Sequence, residues 1–477
     1  MLRRFLRDSA IYSISAALSR GVAIIMIPLY TRFLHPSEYG VLDLLMITAT
    51  LFNYLILLEI SQGLARVYSE AESSLAKIQC ISSAAWFAIA AYSIFAIFGF
   101  TFAASLAEVI LNSAELINAV RVMILAIIFN GVFFLLQDLL RWQLQPRKHA
   151  LGSIIYSVVS ASSGAFAVVI LKAGVIGILA GQVVGAIIGL LVTCICGAAK
   201  YWKFQFNLSI WFEMLRYSAP QVISSFAAFS ALYIDRFFIK EMLGVEEVGI
   251  YGVGARIASL VALLMAGFQS GYIPLVFQNH SSSETPPQMA RVFRFFLVGA
   301  FLIVTLLAGY SKELLSVFTT EQYFSAWFTV PILASAMLLA NMYIFVPGVF
   351  IAKRTGFVAI LNVSTVMINV ILILLFLPLF GIAGAAIAVL AGSLFNFLVY
   401  ILLNKRFYPI PFNWNRILLG IIVGVLFATS LMLLQNISGY FVFMLKTIIF
   451  FIGALILLFT LLETSELKLL AFKIGWQ

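Results

Sequence analysis

Fourteen apolar runs divide this 477-residue chain, at about 9–31, 40–65, 80–105, 117–139, 150–171, 175–198, 217–240, 248–277, 295–311, 324–350, 356–378, 381–403, 415–434 and 440–462, each bounded by charge, proline or glycine. A helix rises about 1.5 Å per residue, so about 17–25 apolar residues cross the roughly 30 Å of hydrocarbon in a bilayer. A segment in lipid must satisfy its own backbone hydrogen bonds, which leaves only helices and closed barrels. The runs are far longer than barrel strands. The expected fold class is therefore an all-α integral membrane protein with 14 transmembrane helices. Composition agrees: 63% of residues are hydrophobic and 10% charged, against about 25% charged in soluble domains. A water-soluble globular chain is excluded.

The net charge of +10 reads as membrane orientation rather than a nucleic-acid surface, because the cations sit in short loops. One set of alternate loops holds 20 of the 29 lysines and arginines, from Arg3, Arg4 and Arg7 through Arg66 and Lys77, Lys200 and Lys203, and on to Lys468 and Lys473. The other set holds Arg32, Arg121, Lys172, Arg236, Lys240 and Lys312; Arg20, Arg256 and Lys446 fall inside runs. A missed or invented span would scramble this alternation. Both termini are expected in the cytoplasm, and the N-terminal basic cluster starts an uncleaved first helix.

The chain also resembles itself. Leu6-Arg-Asp-Ser-Ala10 recurs as Leu215-Arg-Tyr-Ser-Ala219, and the same offset of 209 pairs Leu34, Glu38 and Gly40 with Leu243, Glu247 and Gly249. Further on, an offset of 207 pairs Arg147 with Arg354, Gly174 with Gly381 and Gly177 with Gly384. Six helices separate the copies, so both halves enter the membrane in the same sense, a parallel repeat. The expected domains are a six-helix lobe over 1–205, a second over 206–410, and an added helix pair with a cytoplasmic tail over 411–477. The longest hydrophilic stretch, around Gln278–Pro287, reads as a loop, leaving no room for a soluble domain.

Charges inside the spans are the candidate functional residues. Arg20 lies about eleven residues into the first helix, near the bilayer centre, where an arginine costs from about 2.5 kcal/mol upward and normally faces water or a partner. It reads as a cavity cation for an anionic substrate or as a structural ion pair. Arg256 in the eighth run reads the same way at shallower depth. Asp43, a turn into the second helix, either stabilises that helix N-terminus or binds a coupling cation. Asp235 and Arg236 near the outer end of the seventh helix and Glu59 at the inner end of the second are further candidates for ion coupling or gating. Asp138 with Arg141 reads as a local i,i+3 pair. Prolines 28, 220, 274, 331 and 347 lie within spans, where they bend helices.

Enzyme chemistry finds no foothold. Cys80, Cys194 and Cys196 have no paired spacing, His35, His149 and His280 are scattered, and no metal motif or phosphate loop is present. No metal, no organic cofactor and no catalytic residue is expected.

The segments Arg7-Asp-Ser-Ala-Ile-Tyr12, Leu18-Ser-Arg-Gly21, Ile27-Pro-Leu-Tyr-Thr-Arg-Phe-Leu-His-Pro-Ser-Glu-Tyr-Gly-Val41, Ser61-Gln-Gly-Leu-Ala-Arg66 and Asp235-Arg-Phe-Phe-Ile239 resemble the bacterial polysaccharide flippases of the Wzx type, in the multidrug/oligosaccharidyl-lipid/polysaccharide exporter superfamily. The resemblance implies a twelve-plus-two helix layout and an inward-facing cationic cavity between two lobes, holding Arg20 and Arg256. It implies movement of a polyprenyl-diphosphate-linked oligosaccharide, such as an O-antigen unit, from the inner to the outer leaflet of the bacterial inner membrane, with other polysaccharide assembly proteins as partners; the mechanism expected of two such lobes is alternating access, reset by an H+ or Na+ gradient through an acidic residue. Glu59 departs from the family pattern, which favours a small residue there. A drug antiporter of the same superfamily would want a carboxylate, not Arg20, at the cavity centre. A lipid II flippase shares the diphosphate requirement. A membrane glycan polymerase or ligase would need large outer loops, which this chain lacks.

Overall fold

The computed structural model describes residues 2–198, 202–354, 356–435, 437, 439–464 and 466–467. Lys200, Lys468 and Lys473 of the charge alternation lie outside the described residues. Everything regular among those residues is helical. Among the described residues thirteen helical stretches are long and apolar enough to cross a membrane, one fewer than the fourteen expected, because the 248–277 run is divided into two helices; the chain is a multi-pass membrane protein.

The chain forms two compact units, 1–252 and 253–477. The first carries α1 (Leu2–Phe33), α2 (Pro36–Leu57), α3 (Ile60–Glu70), α4 (Ser74–Thr101), α5 (Ala103–Leu111), α6 (Ile117–Trp142), α7 (Pro146–Val169), α8 (Gly174–Thr193), α9 (Leu208–Leu243) and the start of α10 (Val245–Ala258). The second carries the end of α10, then α11 (Val261–Asn279), α12 (Thr285–Phe318), α13 (Thr329–Asn341), α14 (Gly348–Ile351), α15 (Gly356–Phe380), α16 (Ile382–Phe407), α17 (Trp414–Leu434) and α18 (Tyr440–Leu461).

Helix starts follow local chemistry. Pro36 opens α2, where its missing N–H costs nothing, and the Glu38 carboxylate accepts from the His35 N–H at 3.0 Å. Ser73 caps α4 by accepting from Ala76 N–H at 3.0 Å, and Asn207 caps α9 through Ser209 and Ile210. These side chains satisfy amide protons that a helix leaves unpaired at its start.

Both copies of the second span are interrupted, where the apolar pattern predicts continuous helices over 40–65 and 248–277. The first breaks at Leu58 and Glu59, both left-handed at φ 47 and 54. The second tightens between α10 and α11 at Ser259–Leu260. Side chains with a Cβ disfavour the left-handed region, so hydropathy carries no sign of the first break. The 324–350 run also divides, into short helices on either side of Pro347. The loop read around 278–287 is shorter than its polarity suggests, because Pro286 and Pro287 sit in the first turn of α12.

The repeat is visible as contact. A Cβ added to Gly40 would lie 1.9 Å from the carbonyl oxygen of Val245, and one added to Gly249 would lie 1.9 Å from that of Pro36. Residues 36 and 40 are the repeat equivalents of 245 and 249, so α2 and α10 meet reciprocally, the signature of a local two-fold axis. Only glycine permits this approach. Gly174 and Gly381, at the 207 offset, are both left-handed, at φ 52 and 59.

In the second unit the added helix pair is fixed to α12 at both ends. Lys446 Nζ meets Glu313 at 2.6 Å, and the Gln435 amide donates to Ser311 Oγ at 2.8 Å. At the other end, beyond α18, Glu466 accepts from Arg294 at 2.6 Å and from Arg291 at 3.1 Å.

Candidate functional site

Three of the residues singled out by sequence converge at one end of the first unit. Asp43 lies seven residues into α2 and Arg236 seven residues before the end of α9, so each sits about 10 Å along its helix from that end. Arg236 Nη1 contacts the Asp235 carboxylate at 2.8 and 3.0 Å and the Leu232 carbonyl at 2.9 Å, while its Nε lies 3.7 Å from Asp43 Oδ2. Tyr251 on α10 donates its hydroxyl to Asp235, and the Arg236 backbone N–H reaches the same carboxylate at 2.9 Å. The guanidinium carbon lies 4.9 Å from the Tyr251 ring centroid and 5.2 Å from that of Tyr233, within cation–π range.

The cluster is dry: Asp235 is 0% exposed, Arg236 4% and Asp43 8%. A buried charge persists only when paired and hydrogen-bonded. Arg236 and Asp235 meet that condition. Asp43 is the more distant carboxylate, 3.7 Å from Arg236 against 2.8 Å for Asp235. Asp43 also packs against Gly252, its own repeat equivalent, whose added Cβ would lie 3.0 Å from the carboxyl carbon. Positions 26 and 27, equivalent to 235 and 236, are Met and Ile, so the ionic group has no counterpart in the other copy.

Arg236 and Lys240, counted with the cations of one set of loops, both lie within α9, which runs on to Leu243 and buries them. Lys240 Nζ donates to the Val109 carbonyl at 2.8 Å and to Asn112 Oδ1 at 3.1 Å, closing the end of α5. Carbonyls at a helix C-terminus attract such cations.

The remaining candidates lie elsewhere. Glu59 is half-buried at the α2–α3 break, sixteen residues from Asp43 and so about 24 Å away along the helix. Nearby, Ser61 donates to Asp138 at 2.5 Å, and Asp138 pairs with Arg141 at 3.0 Å, the local pair expected. Arg20 is exposed on α1, nine residues into the membrane-spanning part that starts at Ile11, which puts it about 14 Å deep. Arg256 is half-buried on α10, and the Ser259 hydroxyl at the interruption donates to its carbonyl at 2.6 Å.

Tyr251 and Gly252 escaped the sequence reading. The offset of 209 that pairs Gly40 with Gly249 also pairs Asp43 with Gly252, and that is the signal that could have found them.

The profile of the family described as "Polysaccharide biosynthesis protein" matches residues 5–280, more than half of the chain and all of this cluster. The chain belongs to that family. The "Probable low-salt glycan biosynthesis flippase Agl15" of Haloferax volcanii is 23% identical over 209 residues, 43% of this chain and 44% of that protein. The match thus spans less than half the length of this relative. Among solved structures, one described as "Lipid II flippase MurJ, inward closed conformation" is similar over 94% of this chain and 98% of its own, with TM-score 0.76 and 15% identity. A multidrug resistance MATE family transporter of the MOP superfamily is similar over 81% of this chain and 94% of its own, with TM-score 0.67 and 12% identity. At these identities the likeness establishes a shared fold.

Proposed function

We propose that this polysaccharide biosynthesis family member is a flippase that moves a polyprenyl-diphosphate-linked oligosaccharide from the inner to the outer leaflet of the cytoplasmic membrane. The observation that carries the reading is Arg20: a guanidinium at mid-membrane depth, exposed on its helix, in a chain of this family. A diphosphate cannot cross hydrocarbon unaided, and charge-assisted hydrogen bonds from arginine offset the loss of its water. Arg256 is the second diphosphate ligand of the proposal. It stands beside an interrupted span, and irregular backbone at membrane depth is kept away from lipid, either inside the protein or against a water-filled cavity.

Transport runs by alternating access, with the two repeat-derived lobes as moving parts and both termini in the cytoplasm. The lipid chain stays in the bilayer while the head group passes. The buried cluster supplies coupling and gating. Arg236 holds Asp235, and Asp43, the more distant carboxylate at 3.7 Å, takes up the proton or Na+, loosening the tie between α2 and α9. Glu59 is a second candidate for that cation.

The test is reconstitution in liposomes with a fluorescent polyprenyl-diphosphate oligosaccharide, followed by its exposure in each leaflet. Transfer by the wild type and at least about a tenfold loss in well-folded Arg20→Gln and Arg256→Gln, a transition-state cost of about 1.4 kcal/mol, supports the reading. Transfer of lipid II alone would redirect the substrate. Transfer of neither would reopen drug antiport, and formation of a glycosidic bond would favour a polymerase or ligase.

A further inference from the structure

Between the inner ends of α8 and α9, residues 202–208 read Trp-Lys-Phe-Gln-Phe-Asn-Leu, a strict apolar–polar alternation in a segment that is not helical until Leu208. The backbone bends at Phe204, where the Gln205 N–H donates to the Lys203 carbonyl at 2.8 Å. The segment is fastened to α4 by three bonds: Ser82 Oγ accepts from the Lys203 N–H at 3.0 Å, Trp86 Nε1 donates to the Lys203 carbonyl at 3.1 Å, and Ser83 Oγ accepts from the Asn207 N–H at 2.9 Å. Both serines are fully buried. This is a strap held in one place.

Its rings join those of α4 and α9. Trp86 lies 4.6 Å from Phe204 and 5.9 Å from Trp202, while Trp211 lies 5.7 Å from Phe87 and 6.1 Å from Phe206. An open cleft of about 620 Å³ has Trp86, Phe87, Phe204, Gln205, Phe206 and Trp211 on its walls. Phe204 is 91% exposed and Phe206 50%. Charge alternation puts this end of the helices at the cytoplasmic interface, the level at which tryptophans settle.

We propose that the strap docks the isoprenoid chain of the substrate lipid in the inner leaflet, with exposed Lys203 meeting the diphosphate. This rests on the flippase reading above. An isoprenoid brings methyl branches and double bonds at regular intervals, which give ring faces more to contact than a saturated acyl chain does, and its anionic head complements a lysine on the same segment. A fixed aromatic cleft on the loading side would hold the chain while the head group finds the arginines.

The test uses the full-length protein in nanodiscs with a diazirine-bearing polyprenyl diphosphate. Labelling is expected within 202–211, competed about tenfold better by unlabelled polyprenyl diphosphate than by phospholipid, which is about 1.4 kcal/mol of preference. Phe204→Ser with Phe206→Ser, at exposed rings, should lower the labelling without changing Tm. Lys203→Gln should remove the preference for diphosphate over monophosphate and leave the rings in place. Equal competition by phospholipid, or unchanged labelling in the double variant, would overturn the proposal. Specific labelling by a wild type that never moves the lipid would sink the flippase reading and leave the docking site standing.

Discussion

Arg236 decides the character of the candidate site, because a guanidinium buried to 4% exposure tolerates no loss of its main partner. Asp235→Asn leaves Arg236 only the more distant Asp43 and should lower stability by about 1.5–3 kcal/mol, the worth of a hydrogen bond to a charged group, which purified protein should show as a fall in Tm. Arg236→Gln should cost more, about 3–5 kcal/mol, because it removes the cation between two buried carboxylates. Asp43, at 3.7 Å, should behave differently: Asp43→Asn keeps the fold and abolishes the dependence of transport on an imposed H+ or Na+ gradient. The residues of this cluster were legible singly, as rare charges in apolar runs. Their meeting was not, because it depends on α9 extending past Lys240 and on Tyr251 arriving from the next helix, and neither raises a hydropathy signal. Outside the spans, burial pushes the Glu466 carboxyl up, but hydrogen bonds from Arg294, the Glu463 N–H and Arg291, with the charge of Arg294, outweigh it and hold the group below its ordinary value. A depressed carboxyl contributes stability above its unfolded pKa and loses it as pH falls through the folded value. Glu466→Gln should therefore flatten the acid-side fall in Tm and lower Tm at neutral pH.

The helices themselves were the most readable part, since a run of about 20 apolar residues in lipid has one stable conformation. Their interruptions were the least readable. Leu58 and Glu59 carry no glycine or proline to announce a break, and left-handed backbone at such residues costs of order 1–3 kcal/mol each, retained where function uses the strain. Glu59→Gly should relieve that strain and raise Tm. Gly40 and Gly249 give the sharper test of the repeat. Each faces a carbonyl 1.9 Å from where a Cβ would stand, so Gly40→Ala and Gly249→Ala should be about equally destabilising, by roughly 1–3 kcal/mol of overpacking. A large effect from one and none from the other would break the two-fold relation inferred from the offset of 209.

At the scale of the molecule, the proposed flippase combines a parallel repeat, two arginines proposed to hold an anion and an asymmetric ionic cluster. The repeat and the positive-inside alternation carried most of this in the sequence, because both depend on order along the chain rather than on distant contacts. The glycan left no such trace: sugar recognition depends on surfaces assembled from many helices, and 44 phenylalanines and 18 tyrosines mark none of them. The claim that Arg20 selects a diphosphate is tested most directly by comparing initial transfer rates, in proteoliposomes, of one oligosaccharide on a polyprenyl diphosphate and on a polyprenyl monophosphate. The account predicts that the wild type prefers the diphosphate by about tenfold or more, worth about 1.4 kcal/mol, and that Arg20→Gln moves both at the same slow rate. Equal rates on both carriers in the wild type, or an undiminished preference in Arg20→Gln, would contradict it.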